Sequence, residues 1–297
     1  MQVKGHTLAA LALNPESAGE PVILLHGIGG SMRFWSSDQV DVFQAHGSCY
    51  ALSLPGHYPA IFPKGFRQEM ITTEMMTSVL TEAIRQLVGD RPVTLVGMST
   101  GGFAALAIAA SYPQLARRVI SVSGFAQGKW TGPLGQFQWL ARHGPIGQAL
   151  FKLVYPMGRV SPDMFLRLWN IYAADSRALY AYPGLKACVG GSYQDFIRLD
   201  VNAMIQYFSV MPEIDISPIL PRITAPTLAM AGDRDPIVPP AQARLIAGKI
   251  SGAELAMIAG AGHMLFAERP AEYRRVLGEW LGRTSEKERV DDGQAIS

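Results

Sequence analysis

Short, unbroken apolar runs alternate along this chain with longer stretches in which apolar residues recur every three or four positions. Pro21-Val22-Ile23-Leu24-Leu25 ends at His26-Gly27, Cys49 to Leu54 ends at Pro55-Gly56, Val93 to Val96 ends at Gly97, and Val119 to Val122 ends at Ser123-Gly124. A run without polar alternation suits a strand covered on both faces, as in a parallel sheet between layers of helices. Between the runs, Ile71 to Val88 places Met75, Met76, Val79, Leu80, Ala83, Ile84 and Leu87 at helical spacing, which predicts a helix with one buried face. After residue 217 the pattern resumes with a strand over Pro226 to Ala231, a helix over Ala241 to Ile250, a strand over Glu254 to Ile258 and a last helix around Ala271 to Leu281. Strand alternating with helix predicts an α/β fold: a mainly parallel sheet flanked by helices, with ligands gathering at the carboxyl ends of the strands.

From Ala126 to Ser217 the texture changes to helical stretches broken by Gly and Pro and dense in aromatics such as Trp130, Phe137, Phe151, Tyr155, Trp169 and Phe208. This predicts an inserted helical cap over residues 126–217, with the core divided between 1–125 and 218–283. The aromatic and Met content suits an apolar pocket roof, and equally the packing of the insert itself. No clean basic amphipathic helix stands out in it, so stable membrane insertion is not expected. Residues 284–297, with Glu286, Lys287, Glu288, Arg289, Asp291 and Asp292, lack apolar periodicity and are read as a disordered tail.

Hydrophobic residues make up 48% of the 297-residue chain and charged ones 17%, enough interior for one large core with an insert. Its 26 basic and 24 acidic residues leave a net charge of +2, which implies no field able to gather nucleic acid. Cys49 and Cys188 have no metal-ligand or redox spacing, and no apolar segment near the start is long enough for secretion. A cytoplasmic enzyme with reduced thiols is the expectation. The pattern leaves the oligomeric state open.

The chemistry concentrates where runs end. Gly97-Met98-Ser99-Thr100-Gly101 sets a serine between glycines at a strand-to-helix junction, where a sharp turn would expose its hydroxyl at a helix N-terminus. The same short pattern also occurs in turns without chemistry. A serine needs a base to attack at neutral pH, and the base needs an orienting acid. His263 in Gly260-Ala261-Gly262-His263 follows the last strand, and Asp233 and Asp235 follow the strand before it, in the chain order Ser, Asp, His.

On these residues the chain resembles the α/β-hydrolases, in their lid-bearing group of serine esterases, lipases and carbon–carbon hydrolases, from about Pro21 to Leu281. The resemblance implies Ser99, Asp235 and His263 as catalytic residues, since a G-x-x-D-x-x-x-P pattern matches Gly232, Asp235 and Pro239. Asp233 is the reserve. A G-x-G-H pattern with an acidic-Pro helix entry matches Gly260, Gly262, His263, Glu268 and Pro270. The resemblance further implies an oxyanion hole from the backbone N–H groups of Ile28, in His26-Gly27-Ile28-Gly29-Gly30-Ser31, and Thr100. His26 is expected to be structural. Where many relatives carry D-x-x-G-x-G-x-S, this chain reads Ser53-Leu54-Pro55-Gly56-His57-Tyr58-Pro59-Ala60, so no subfamily's substrate carries over; His57 is read as a loop residue or a pocket residue. The implied activity is hydrolysis of carboxylic esters with a small to medium apolar acyl part, without metal or organic cofactor. Carbon–carbon bond hydrolysis, lactone hydrolysis and perhydrolysis share the triad, and a non-catalytic receptor or scaffold of the same fold is the alternative of another class.

Overall fold

The computed structural model describes residues 1–294, with side chains described to residue 285. A short antiparallel pair, β1 (Gln2–Val3) and β2 (His6–Thr7), precedes β3 (Ala10–Ala12), the antiparallel edge of a seven-stranded sheet. The other strands, β4 (Val22–Leu25), β5 (Cys49–Leu52), β6 (Val93–Met98), β7 (Ala116–Val122), β8 (Thr227–Gly232) and β9 (Glu254–Ile258), pair in parallel. This is the α/β architecture that the apolar runs predict. Every residue of β4, β6 and β8 is buried, which is why these segments read as continuous apolar runs; β9, at an edge, is buried only at Ile258. The three-residue strand β3 had no such signature, because an edge strand is defined by its partner rather than by a pattern of its own.

The strand order, β3-β5-β4-β6-β7-β8-β9, decides where a ligand can sit. The chain steps outward from β4 to β5 and then crosses back to β6 on the other side of β4. The loops leaving β4 and β6 therefore diverge to opposite faces and open a crevice at the carboxyl ends of these two strands. Leu25, the last residue of β4, lies opposite Gly97, so the loop beginning at His26 and the turn holding Ser99 emerge side by side.

Helix α1 (Asp41–Gln44) is a single turn, and α2 (Thr73–Val88) is capped by the Thr72 hydroxyl, which accepts the Met75 N–H at 3.0 Å. Helix α3 (Thr100–Ser111) is buried from Thr100 to Ala110. Its apolar surface extends all round, and its many alanines and glycines let it lie close to the sheet.

Between β7 and β8 the chain is helical, with α4 (Gly132–Arg142), α5 (Gly144–Val154), α6 (Pro162–Trp169), α7 (Ser176–Ala181), α8 (Leu185–Phe196) and α9 (Val201–Val210). An isolated bridge between Gln127 and Asp215 joins the entry and exit of this segment. The rings of Phe137, Phe151, Tyr155 and Phe208 pack against one another, so part of its aromatic content forms its own core.

The last elements are α10 (Ala241–Lys249), α11 (Leu265–Glu268) and α12 (Pro270–Gln294). Helix α12 continues well past Leu281, so the segment read as a disordered tail is helical over its described part; residues 295–297 lie outside the described residues. The segment's first residue is held by a tertiary anchor that needs no apolar periodicity. Thr284 is buried, its hydroxyl bonds back to the Trp280 carbonyl at 3.0 Å, and it accepts a hydrogen bond from Arg118 Nε at 3.1 Å.

Candidate active site

Ser99 occupies the turn between β6 and α3 with φ 55° and ψ −116°, a conformation that a side chain adopts only when its surroundings enforce it. Its N–H donates to the Val122 carbonyl at 2.9 Å, and its carbonyl accepts from the Phe103 N–H at 3.0 Å. The flanking glycines are steric requirements. A Cβ on Gly97 would lie 2.1 Å from the Gly101 carbonyl carbon, and one on Gly101 would lie 2.1 Å from the Leu25 carbonyl oxygen. The turn closes only because the strand, the helix and β4 meet there backbone to backbone.

Asp235 follows β8 with a fully buried side chain. Its Oδ1 accepts the N–H groups of Ile237 at 2.8 Å and Val238 at 2.9 Å, which fixes the carboxylate, and Oδ2 lies 2.7 Å from His263 Nδ1. With Nδ1–H donated to this carboxylate, His263 Nε2 carries the free lone pair. Asp233 is used differently: it is exposed, and its Oδ1 accepts the Gly260 N–H at 2.7 Å, clasping the loop that carries His263. Of the two carboxylates, Asp235 reaches the imidazole.

Further contacts hold that loop. The His263 N–H donates to the Tyr172 carbonyl at 2.9 Å, and the Ser123 hydroxyl donates to the His263 carbonyl at 3.0 Å. Glu268, 2% exposed, accepts from the N–H groups of Ala174 (2.9 Å) and Asp175 (2.8 Å) in the inserted segment and from Gly262 (3.1 Å) beside His263. Burial raises its carboxyl above the ordinary glutamate value, while these N–H bonds pull the other way. In the sequence Glu268 was one position of a pattern; nothing there signalled that it ties the histidine loop to residues more than ninety positions away.

Ser99, His263 and Ile28 border one cavity of about 350 Å³, walled mainly by apolar side chains of the inserted segment, among them Phe137, Leu140, Phe165 and Trp169. Among the described residues, no hydrogen bond joins the Ser99 hydroxyl to the His263 ring. Ile28 lies in the loop after β4, which approaches so closely that a Cβ on Gly27 would lie 3.2 Å from Ser99 Cβ. Thr100 opens α3, where a backbone N–H has no acceptor within the helix.

The other two histidines near these strand ends are clamps. His26 is completely buried, accepts the Leu54 N–H on Nε2 at 3.1 Å and donates Nδ1–H to the Gly27 carbonyl at 2.8 Å, tying β4 to the segment after β5. Burial lowers it to about 4. His57 lies in the loop after β5 and not in the cavity lining, and it is fully buried there. It is buried edge-on to His26 and Tyr207, at centroid distances of 5.3 and 5.1 Å, because the chain after Pro55 turns inward beneath α9. Burial, then the neighbouring His26, lowers it to about 3. Ser53, where many relatives carry Asp, accepts the Ala9 N–H and donates to the Ala9 carbonyl, both at 2.9 Å, and so joins β3 to β5. Among the described residues, no cluster of three His, Cys, Asp or Glu side chains is placed to hold a metal ion.

Comparison with known proteins adds the family context. The alpha/beta hydrolase fold family matches residues 20–270. The chain is 25% identical to a pyrrolizixenacetamide deacetylase of Xenorhabdus hominickii, over 90% of this chain and 92% of that protein. It is 24% identical to a pimeloyl-acyl-carrier-protein methyl ester esterase of Neisseria meningitidis serogroup C, over 84% of this chain and 88% of that protein. In structure it superposes on the enol-lactonase of Burkholderia xenovorans LB400 with a TM-score of 0.72 and 21% identity, covering 94% of this chain and 98% of that one.

Proposed function

Since the chain belongs to the α/β-hydrolase family, we propose that it is a serine hydrolase that cleaves carboxylic esters with a small to medium apolar acyl part through an acyl-enzyme. The observation that carries this reading is the strained Ser99 bordering the same cavity as His263, whose ring is paired with the buried Asp235. Esterase and deacetylase relatives that align over most of the chain support hydrolysis at an acyl carbonyl.

In this mechanism Ser99 Oγ attacks the ester carbonyl carbon while His263 Nε2 takes its proton. The oxygen of the tetrahedral intermediate accepts the N–H groups of Ile28 and Thr100, where loss of one donor costs on the order of a hundredfold or more in rate. His263 then returns the proton to the departing alkoxide, leaving the acyl group on Ser99. Water, deprotonated by the same Nε2, attacks the acyl-enzyme and releases the acid. Asp235 holds the Nδ1–H tautomer and stabilises the imidazolium formed in each half-reaction. The inserted segment serves as a cap whose aromatic and aliphatic wall receives the acyl chain, and a cavity of about 350 Å³ suits short and medium chains better than long ones. None of these steps calls for a metal or an organic cofactor. The free, buried thiols of Cys49 and Cys188 support a cytoplasmic setting.

A fluorophosphonate probe tests the nucleophile: it should label the folded protein and fail to label Ser99→Ala or His263→Ala. Absence of labelling in the folded wild type would favour the non-catalytic receptor. A p-nitrophenyl ester series tests the substrate class, with turnover expected for acetate to octanoate. Turnover of a vinylogous diketone or a lactone, with every ester left intact, would move the assignment to carbon–carbon or lactone hydrolysis on the same triad.

A further inference from the structure

Among the described residues, nothing covers the outer face of α5. Ile146, Leu150 and Leu153, spaced to form one stripe, are 79%, 46% and 70% exposed, while Gly147 and Phe151 on the opposite face are buried. Exposed Val154 ends α5, exposed Met157 and Val160 continue the apolar surface beyond it, and exposed Trp139 lies on the neighbouring α4. A soluble surface scatters such residues singly; a contiguous group of this size marks a contact surface.

Charge and position indicate what it contacts. Residues 129–174 contain Lys129, Arg142, Lys152, Arg159 and Arg167 against the single carboxylate Asp163, in a chain whose charges otherwise nearly balance. Arg142 pairs with Glu213, and Arg159 donates to the Leu199 carbonyl, whereas Lys152 stands exposed beside the stripe. Aliphatic side chains beside the exposed Lys152, which can keep its charge at headgroup level while its stem covers apolar surface, in a segment with a basic excess, match an anionic lipid interface. The face is also continuous with the cavity: Val154 and Met157 are exposed and line it as well. Among the described residues no helix is long and apolar enough to cross a membrane, so the contact is peripheral.

We propose that the α5 face docks on an anionic lipid surface and holds the mouth of the cavity against it, so that apolar molecules pass from the lipid to the cavity without crossing bulk water. Docking itself is independent of the chemistry assigned to Ser99. The face leaves no pattern of a basic amphipathic helix in the sequence, because which side of α5 is covered depends on the fold.

The test is sedimentation of the full chain with phosphatidylcholine vesicles, with and without phosphatidylglycerol. Wild type should sediment with the anionic vesicles and be released by salt. Leu150→Glu with Leu153→Glu should weaken binding by about a hundredfold, and Lys152→Gln by about fivefold. None of these residues lines the cavity, so hydrolysis of a water-soluble acetate ester and the melting temperature should not change. Equal binding by the double variant, equal binding to vesicles of phosphatidylcholine alone, or no vesicle binding would overturn the proposal. So would wild-type dimerisation in ultracentrifugation that the double variant abolishes, which would assign the face to a second copy.

Discussion

Lowering the pH from 7 to 5 is expected to destabilise the fold through His26 and His57. Burial holds His26 at about 4 and His57 at about 3 in the folded chain, against an ordinary value of 6.5. At pH 5 both rings therefore remain neutral when folded and take up protons when unfolded. Because the unfolded chain then binds more protons, stability falls as the pH drops below about 6.5 and keeps falling until each folded-state value is reached. From pH 7 to 5 each ring accounts for about 2 kcal/mol of loss, and the two together for about 4, a large share of the 5–15 kcal/mol of a typical domain. The effect of His57 can be isolated with His57→Asn, which keeps an N–H donor near the Pro55 carbonyl and removes the titrating ring. Urea unfolding at the two pH values can be followed by the fluorescence of buried Trp35 and Trp280. The variant should lose about 2 kcal/mol less than wild type on acidification. Other titrating groups are common to both proteins and cancel in this difference, so equal losses would refute a neutral, buried His57.

On the proposed mechanism, Asp235→Asn should lower kcat for a p-nitrophenyl ester by about ten-thousandfold through the wrong imidazole tautomer, while Asp233→Asn, which loosens only the Gly260 clasp, should cost less than about tenfold. Glu268→Gln turns an amide N–H against one of the backbone donors it now accepts; urea unfolding should show a loss of about 2–4 kcal/mol, with kcat falling more than KM rises as the histidine loop loosens. Gly101→Ala drives a Cβ against the Leu25 carbonyl oxygen and should destabilise by about 3 kcal/mol and abolish fluorophosphonate labelling, read from a melting curve and from the labelled band.

The sheet was legible because burial on both faces leaves no room for polar alternation: β4, β6 and β8 are apolar runs for that reason alone. The turn at Ser99 was legible because two backbones meet at Gly97 and Gly101, and only glycine permits it. These are local constraints, and they leave local marks. The choice between Asp233 and Asp235 left only the match of Gly232, Asp235 and Pro239 to a family pattern; its physical ground appears when strand geometry sends Asp235 inward to His263 and Asp233 outward to the Gly260 N–H. The inward burial of His57, the anchoring of Thr284 by Arg118 and the clamp of Glu268 on Ala174 and Asp175 likewise join residues far apart in the chain. By itself, then, the sequence determined the fold class, the strained serine and the order of its candidate partners, because each rests on the needs of neighbouring residues. Tertiary structure alone decided how Asp233 is used, which histidines lose their solvent and which face of α5 stays bare, because each depends on distant segments arriving at the same place.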